Sequence, residues 1–301
     1  MRKRRKAYLD SLKLKSTGLA VVTGGNSGVG KECARMLLLR GWKVILACRN
    51  LEKGKAAKEE FLTSIPGANV EVMKLDLASL DSIDAFVNEI SSRGIDIDVF
   101  YNNAGIYRVP LSYLYGHTES QVGVNFISTF YLYQRIRPYL LSLSHPVKIL
   151  FTSSIVARFV KFGTDDFDGG RKYDKVRAYK VSKLGVNIAY TKAIAESEGT
   201  NLIPILAHPG ICYTPLMEKA YPGKTLSLLI KRFIRFFFND AEKGAFPALF
   251  AMQETLSTHC LIGPRGLGHM AGYPKTYPLY QGNLGNSEEI LLEASHRLKS
   301  R

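Results

Sequence analysis

From Leu19 onward the chain alternates short apolar, β-branched runs with longer segments of helical period. That alternation is how βαβ units and a parallel sheet are written. Ala20-Val21-Val22, Val44-Ile45-Leu46 and Ile149-Leu150-Phe151 are near-continuous apolar runs, as strands covered on both faces require. The predicted strands are Leu19–Thr23, Lys43–Cys48, Asn69–Leu75, Asp98–Asn102, Val147–Ser153, Leu202–Ala207 and His259–Ile262. Helical segments are predicted over Gly30–Arg40, Leu51–Thr63, Leu80–Ser92, Thr118–Leu141, Tyr173–Glu198, Ala241–Leu256 and Ser287–Leu298, with Asn50, Ser79, Asp240 and Asn286 as N-caps. No linker-like break precedes residue 210 and no repeat is visible. The expectation is one doubly wound α/β domain over residues 18–301, preceded by a basic tail at residues 1–17.

A chain that is 46% hydrophobic can bury a large core and lies outside the disordered class. Its four cysteines, Cys33, Cys48, Cys212 and Cys260, form no C-x-x-C pair and no disulfide framework. The six histidines lack metal-ligand spacing, so no metal is expected. No apolar run is long enough to span a bilayer. Asp10, Lys13 and Lys15 leave no apolar stretch after the basic Met1–Lys6 segment, so no signal peptide is expected. This points to the cytoplasmic side of the cell, in soluble or peripherally membrane-associated form. The net charge of +15 comes without a helix-turn-helix, zinc-finger or aromatic RNA-binding signature, so nucleic acid is not the expected partner.

Chemistry enters with Thr23-Gly24-Gly25-Asn26-Ser27-Gly28-Val29-Gly30, which leaves the first strand and opens the first helix. Glycines there permit a tight turn and let backbone approach a pyrophosphate at the helix's positive end. Tyr179 is the only tyrosine with a lysine four residues later, Lys183. On a helix the two share a face, and a cation beside a phenol favours the phenolate, which suits a proton-transfer group. Ser154, 25 residues before Tyr179 at the end of the fifth strand, could donate a hydrogen bond to a substrate carbonyl.

This ordering of motifs resembles the short-chain dehydrogenase/reductase family, in its retinol dehydrogenase-like branch. The resemblance spans residues 18–214 and rests on T-G-x-x-x-G-x-G, Asp76-Leu77, Asn103-Ala104-Gly105, Asn125, Ser154, Tyr179-x-x-x-Lys183 and Pro209-Gly210. It implies strand order 3-2-1-4-5-6-7 and a dinucleotide held by Gly24, Asn26, Ser27, Gly28, Val29 and Gly30. Asp76 and Leu77 would contact the adenine, Asn103, Ala104 and Gly105 would line the dinucleotide path, and Pro209, Gly210 and Thr214 would border the nicotinamide. Tyr179 and Lys183 would also touch the cofactor. The catalytic set implied is Ser154, Tyr179, Lys183 and Asn125, with Asn125 anchoring a water near Lys183. Ser154 is preferred to Ser153 because the retinol dehydrogenase-like branch carries an insertion like Phe162–Lys172.

Where the second strand ends, an acidic residue would bind the ribose 2′-hydroxyl, but the chain reads Ala47-Cys48-Arg49-Asn50. Arg49 suits a 2′-phosphate, with Lys53 and Lys55 adding to the field, so NADP(H) is favoured over NAD(H). A substrate lid is expected over about residues 214–240. Within it Leu226–Phe238 is apolar around most of its circumference, with Lys231, Arg232 and Arg235 as a basic stripe. That segment and the basic amino terminus are candidates for membrane-surface contact, and the chain is a candidate homo-oligomer.

The function expected is interconversion of an apolar ketone or aldehyde with its alcohol, of retinoid, steroid or lipid-carbonyl type, with Tyr179 as general acid/base. The rivals are a sugar-nucleotide epimerase or dehydratase, which the glycine spacing disfavours, and a non-catalytic NADP-binding scaffold or membrane-associated interaction protein.

Overall fold

The computed structural model describes residues 3–170, 172–213, 239–253, 260–280 and 282–299. Its centre is a sheet of β1 (Leu19–Thr23), β2 (Lys43–Cys48), β3 (Asn69–Lys74), β4 (Val99–Asn102), β5 (Val147–Thr152), β6 (Leu202–Ala207) and β7 (Cys260–Pro264). These seven run parallel in the order 3-2-1-4-5-6-7. Val21 and Val22 in β1 and Ile149, Leu150 and Phe151 in β5 are fully buried, and each such side chain contributes roughly 1.5–3 kcal/mol through removal from water.

The sheet has eight strands where seven were expected. β8 (Pro274–Pro278) adds antiparallel to β7 at the edge. It has a proline at each end, which an edge strand tolerates because a residue there needs no N–H for the ladder. The hairpin is closed by Arg265 N–H to Tyr273 O at 2.8 Å and Gly266 N–H to Ala271 O at 2.9 Å.

Helices cover both faces. α1 (Lys3–Ser11), α2 (Gly28–Leu38), α3 (Leu51–Ser64) and a helix near the carboxyl end, Ala241–Ala251, pack on one side. α4 (Leu80–Ser92), α5 (Ser128–Leu141), α6 (Lys175–Ser197) and the terminal Ser287–Lys299 pack on the other. In chain order the two remaining helices are α7 (Ala241–Ala251) and α8 (Ser287–Lys299). A turn at Ser120–Val122 and a π-helical stretch at Gly123–Ile127 run directly into α5. Asn50, Ser79 and Asp240 cap as expected, accepting from the N–H groups of Lys53, Ser82 and Lys243. The Asn286 side chain instead donates to Phe162 O at 2.7 Å.

The amino terminus differs from a solvated tail. Leu9 and Leu12 are buried in the core, Tyr8 packs on Phe246 and Tyr273 at ring distances of 4.9 and 4.7 Å, and Arg5 pairs with Asp240 at 2.7 Å and Glu242 at 2.6 Å. Three apolar side chains spaced along a short segment were outweighed in the sequence by its charge.

Thr214, the Leu226–Phe238 segment, His259 and residues 254–256 of the expected Ala241–Leu256 helix lie outside the described residues, as does the expected lid except for Asn239 and Asp240. Among the described residues no helix is long and apolar enough to cross a membrane.

Candidate active site

The carboxyl ends of β1 and β4 are tied together by one residue. Thr23 Oγ1 accepts from Asn103 N–H and Ala104 N–H, both at 2.9 Å, and Asn103 Nδ2 donates back to Thr23 O at 2.8 Å. This junction explains two of the glycines. A Cβ on Gly30 would run into the Asn103 carboxamide and lie 2.9 Å from Gly24 O, and one on Gly24 would lie 3.1 Å from Ala104 Cα. Gly24 and Gly28 also hold φ of +65° and +56°, the left-handed region that glycine enters without steric cost. The missing side chains thus serve turn-to-turn packing first.

The α2 amino terminus that this turn presents has no side-chain cap: Ser27 is extended and makes no capping bond. Its backbone donors and dipole suit an anion. Asn102, 5% exposed at the end of β4, holds both carboxamide atoms without a partner among the described residues. The glycine turn, uncapped helix start and unpaired amide fit a dinucleotide laid along this edge.

Asp76 and Leu77 follow β3. Asp76 Oδ1 accepts from Ala78 N–H at 3.0 Å, Asp76 N–H donates to Ser82 Oγ at 2.9 Å, and Leu77 O accepts from Ser128 Oγ. Arg49 is exposed at the end of β2. Its carbonyl accepts from Lys74 Nζ at 2.7 Å, because Cys48 and Lys74 are partners in the β2–β3 register. Lys55 is paired with Glu52 at 3.0 Å.

At the centre of the edge lie Ser154, Tyr179 and Lys183. Ser154 follows β5 and its hydroxyl faces the Tyr179 phenol, favouring the ionised form, whereas Ser153 Oγ is buried and donates to Asn187 Oδ1 at 2.5 Å. Tyr179 and Lys183 stand one turn apart on α6, with Lys183 Nζ 5.8 Å from the Tyr179 ring centroid and donating to Thr152 O at 2.8 Å. Burial lowers the Lys183 pKa from 10.5 to about 8.

Lowering of the Tyr179 pKa by Lys183 is not what the chain's own groups produce. Burial dominates and raises it, with the phenol of Tyr107 and the thiol of Cys212 adding and the Ser154 hydrogen bond opposing. A phenolate would lose its hydration here, and the Lys183 ammonium, 5.8 Å from the ring centroid, directs one of its donors to a backbone carbonyl.

Asn125 sits in the π-helical stretch, 1% exposed. Its Oδ1 accepts from Ile106 N–H at 2.7 Å, and its Nδ2 donates to Ile106 O at 2.9 Å and Ser182 Oγ at 3.0 Å. Gly105 is hemmed in beside it: a Cβ there would lie 2.9 Å from Asn125 Oδ1 and 3.7 Å from Lys183 Nζ. Pro209 and Gly210 follow β6. Pro209 O accepts from Asn239 Nδ2 at 3.0 Å, and Gly210 takes a φ of +76° with its N–H donated to His208 Nδ1 at 3.2 Å.

The sequence model of the family described as short chain dehydrogenase matches residues 18–225. The chain belongs to the short chain dehydrogenase family. Retinol dehydrogenase 12 of Mus musculus is 32% identical over 236 residues, covering 77% of this chain and 72% of the relative. Retinol dehydrogenase 12 of Homo sapiens is 30% identical over 259 residues, covering 84% and 76%. A crystal structure of an uncharacterized protein from Mycobacterium paratuberculosis superposes with a TM-score of 0.75 at 26% identity, covering 97% of each chain. The protein is accordingly a retinol dehydrogenase-like oxidoreductase of the alcohol and carbonyl class.

In this short chain dehydrogenase three site-adjacent residues escaped the sequence reading. Lys74 becomes visible only once β2 and β3 are set in register. Asn239 donates to Pro209 O and accepts from Gly272 N–H at 3.2 Å, across separations that no local pattern encodes. Tyr107 lies two residues past the Asn103-Ala104-Gly105 turn with its ring against Tyr179.

Proposed function

We propose that this protein is an NADP(H)-dependent oxidoreductase that interconverts an apolar ketone or aldehyde with its alcohol, with Tyr179 as the proton donor and acceptor. The observation that carries this reading is the convergence of Ser154 and Tyr179 at the end of β5, with Lys183 one turn along α6 and 5.8 Å from the Tyr179 ring centroid. When bound, the nicotinamide cofactor supplies or takes the hydride at the carbonyl carbon. In the reduction direction the Ser154 hydroxyl donates to the carbonyl oxygen and polarises it, and the Tyr179 O–H bond breaks as its proton passes to that oxygen. Burial keeps the phenol protonated, which is the form that donates. Lys183, protonated around neutral pH, fastens α6 to the end of β5 and would hold the nicotinamide ribose, while Asn125 would anchor a relay water beside it.

The cofactor would lie across Gly24, Asn26, Ser27, Gly28, Val29 and Gly30, past Asp76, Leu77 and Asn103–Gly105, to Pro209, Gly210 and Thr214. Arg49, with Lys74 beside it, supports a 2′-phosphate through charge-assisted hydrogen bonds. The relatives named retinol dehydrogenases and the apolar composition of Leu226–Phe238 support an apolar substrate. The apolar and basic composition of that segment, together with the basic residues of the amino terminus, supports peripheral membrane contact. Liposome flotation with and without residues 226–238 tests that contact, and equal flotation retires it.

The deciding experiment tracks cofactor absorbance with NADPH or NADH and a panel of hydrophobic aldehydes and ketones, using wild type, Tyr179→Phe and Arg49→Glu. The expected result is NADPH oxidation by wild type, a loss of about 10²-fold or more in Tyr179→Phe, and a shift toward NADH in Arg49→Glu. NADPH binding without turnover by wild type would favour the non-catalytic scaffold, and equal use of both cofactors would remove the role given to Arg49.

A further inference from the structure

Tyr107 lies with its ring centroid 4.5 Å from that of Tyr179, at an interplanar angle of 70°, the edge-to-face arrangement that aromatic pairs favour. It is held there from both sides. Ile106 has its N–H and its C=O bonded by the Asn125 side chain. Arg108 has its N–H donated to Gln121 Oε1 at 2.7 Å, and Val109 O accepts from Tyr173 Oη at 2.9 Å. Arg108 adopts a φ of +54°, a left-handed conformation that a non-glycine residue keeps only when its surroundings impose it. Asn125 and Gln121, both buried, stand on the same helical stretch, so one rigid element fixes the loop on each flank of a single residue.

That element also reaches the helix carrying the phenol. Asn125 Nδ2 donates to Ser182 Oγ at 3.0 Å, and Ser182 Oγ donates to Tyr179 O at 2.8 Å. The backbone of Tyr107 and that of Tyr179 are therefore referenced to one carboxamide. The strained, doubly anchored loop has one evident product, the placement of the Tyr107 ring on the Tyr179 ring.

The geometry points to Tyr107 as a positioning residue: its ring holds the Tyr179 phenol in the orientation from which the proton is transferred. This rests on the reading of Tyr179 as the proton donor. Three other groups bear on that phenol: the Ser154 hydroxyl from the end of β5, the Cys212 thiol from the segment after β6, and the Lys183 ammonium on its own helix. Ser154 constrains the phenol at its oxygen, and Tyr107 constrains the ring plane. Together they leave the side chain one orientation.

Tyr107→Leu and Tyr107→Phe test the assignment with two readouts. In turnover, Tyr107→Leu is expected to lower kcat about tenfold or more with unchanged NADPH affinity and little change in KM, and Tyr107→Phe, which keeps the ring, is expected to restore wild-type kcat. A Tyr107→Leu variant with kcat within about twofold of wild type, or a Tyr107→Phe variant as slow as Tyr107→Leu, overturns it. In the second readout the protein carries 13C-labelled tyrosine rings, and the Tyr179 signal is identified by its loss in Tyr179→Phe. That signal is expected to move in Tyr107→Leu, as the ring current of Tyr107 is removed, and to stay in Tyr107→Phe. If wild type turns over no carbonyl, the functional reading fails while this signal still decides the contact, and an unmoved signal overturns it.

Discussion

The Lys183 ammonium donates to the backbone carbonyl of Thr152 at 2.8 Å, so this buried cation braces α6 against the last residue of β5. Thr152 is two residues before Ser154, and Lys183 is one helical turn after Tyr179. The bond therefore sets the separation of the hydroxyl and the phenol as well as holding a charge beside them.

That charge makes stability depend on pH. In the unfolded chain Lys183 keeps its proton up to about its ordinary value of 10.5, and in the fold only up to about 8. Between those values the unfolded state binds the extra proton, so native stability gains from Lys183 as pH rises through the window, and below about pH 8 the burial penalty is fully present. At about 1.4 kcal/mol per pH unit the gain approaches about 3 kcal/mol. Urea unfolding at pH 7.5 and pH 10 should show wild type gaining that much relative to Lys183→Met; a gap independent of pH would contradict the assignment.

Gly30→Ala forces a methyl against the Asn103 carboxamide and Gly24 O. The expected cost is about 1–3 kcal/mol, together with weaker NADPH binding as the turn shifts, read by thermal melts and cofactor fluorescence. Gly285→Ala, where a Cβ meets nothing within 4 Å, is the matched control and should change neither.

Asn125→Ala removes both bonds to Ile106 and the one to Ser182. A destabilisation of about 1–3 kcal/mol is expected from the unpaired backbone groups, with a fall in kcat that exceeds any change in cofactor affinity. Unchanged kcat in a folded Asn125→Ala protein would mean that this clamp has no bearing on the reaction.

At the amino terminus, two substitutions one residue apart should act in opposite directions. Tyr8 Oη is buried without a partner among the described residues, so Tyr8→Phe, which keeps the ring on Phe246 and Tyr273, is expected to raise stability by about 1 kcal/mol. Leu9→Ala opens a cavity in the core and should cost about 2–5 kcal/mol. Equal, negligible effects would show that α1 is not docked in solution.

Local signals were sufficient for most of the scaffold. Leu19–Thr23, Lys43–Cys48 and Leu202–Ala207 coincide with observed strands to the residue, because an unbroken apolar run has one stable place in an α/β protein, the middle of a covered parallel sheet. Asn50, Ser79 and Asp240 could be assigned as caps because a cap reaches only three residues along the chain. The ordered motifs from the glycine turn to Pro209-Gly210 were legible for the same reason, each being a contiguous word.

Contacts between distant segments were decided by the folded chain. The edge strand Pro274–Pro278 exists because β7 offers it an open ladder, and α1 is a helix because Phe246, Tyr273, Asp240 and Glu242 receive it. Lys74 reaches Arg49 through strand register, and Tyr107 meets Tyr179 through a loop clamped by Asn125 and Gln121. The direction of the Tyr179 pKa belongs to the same class. Spacing put a lysine one turn away, but the depth of burial determines the energy of a phenolate, and burial is a property of the whole packed domain.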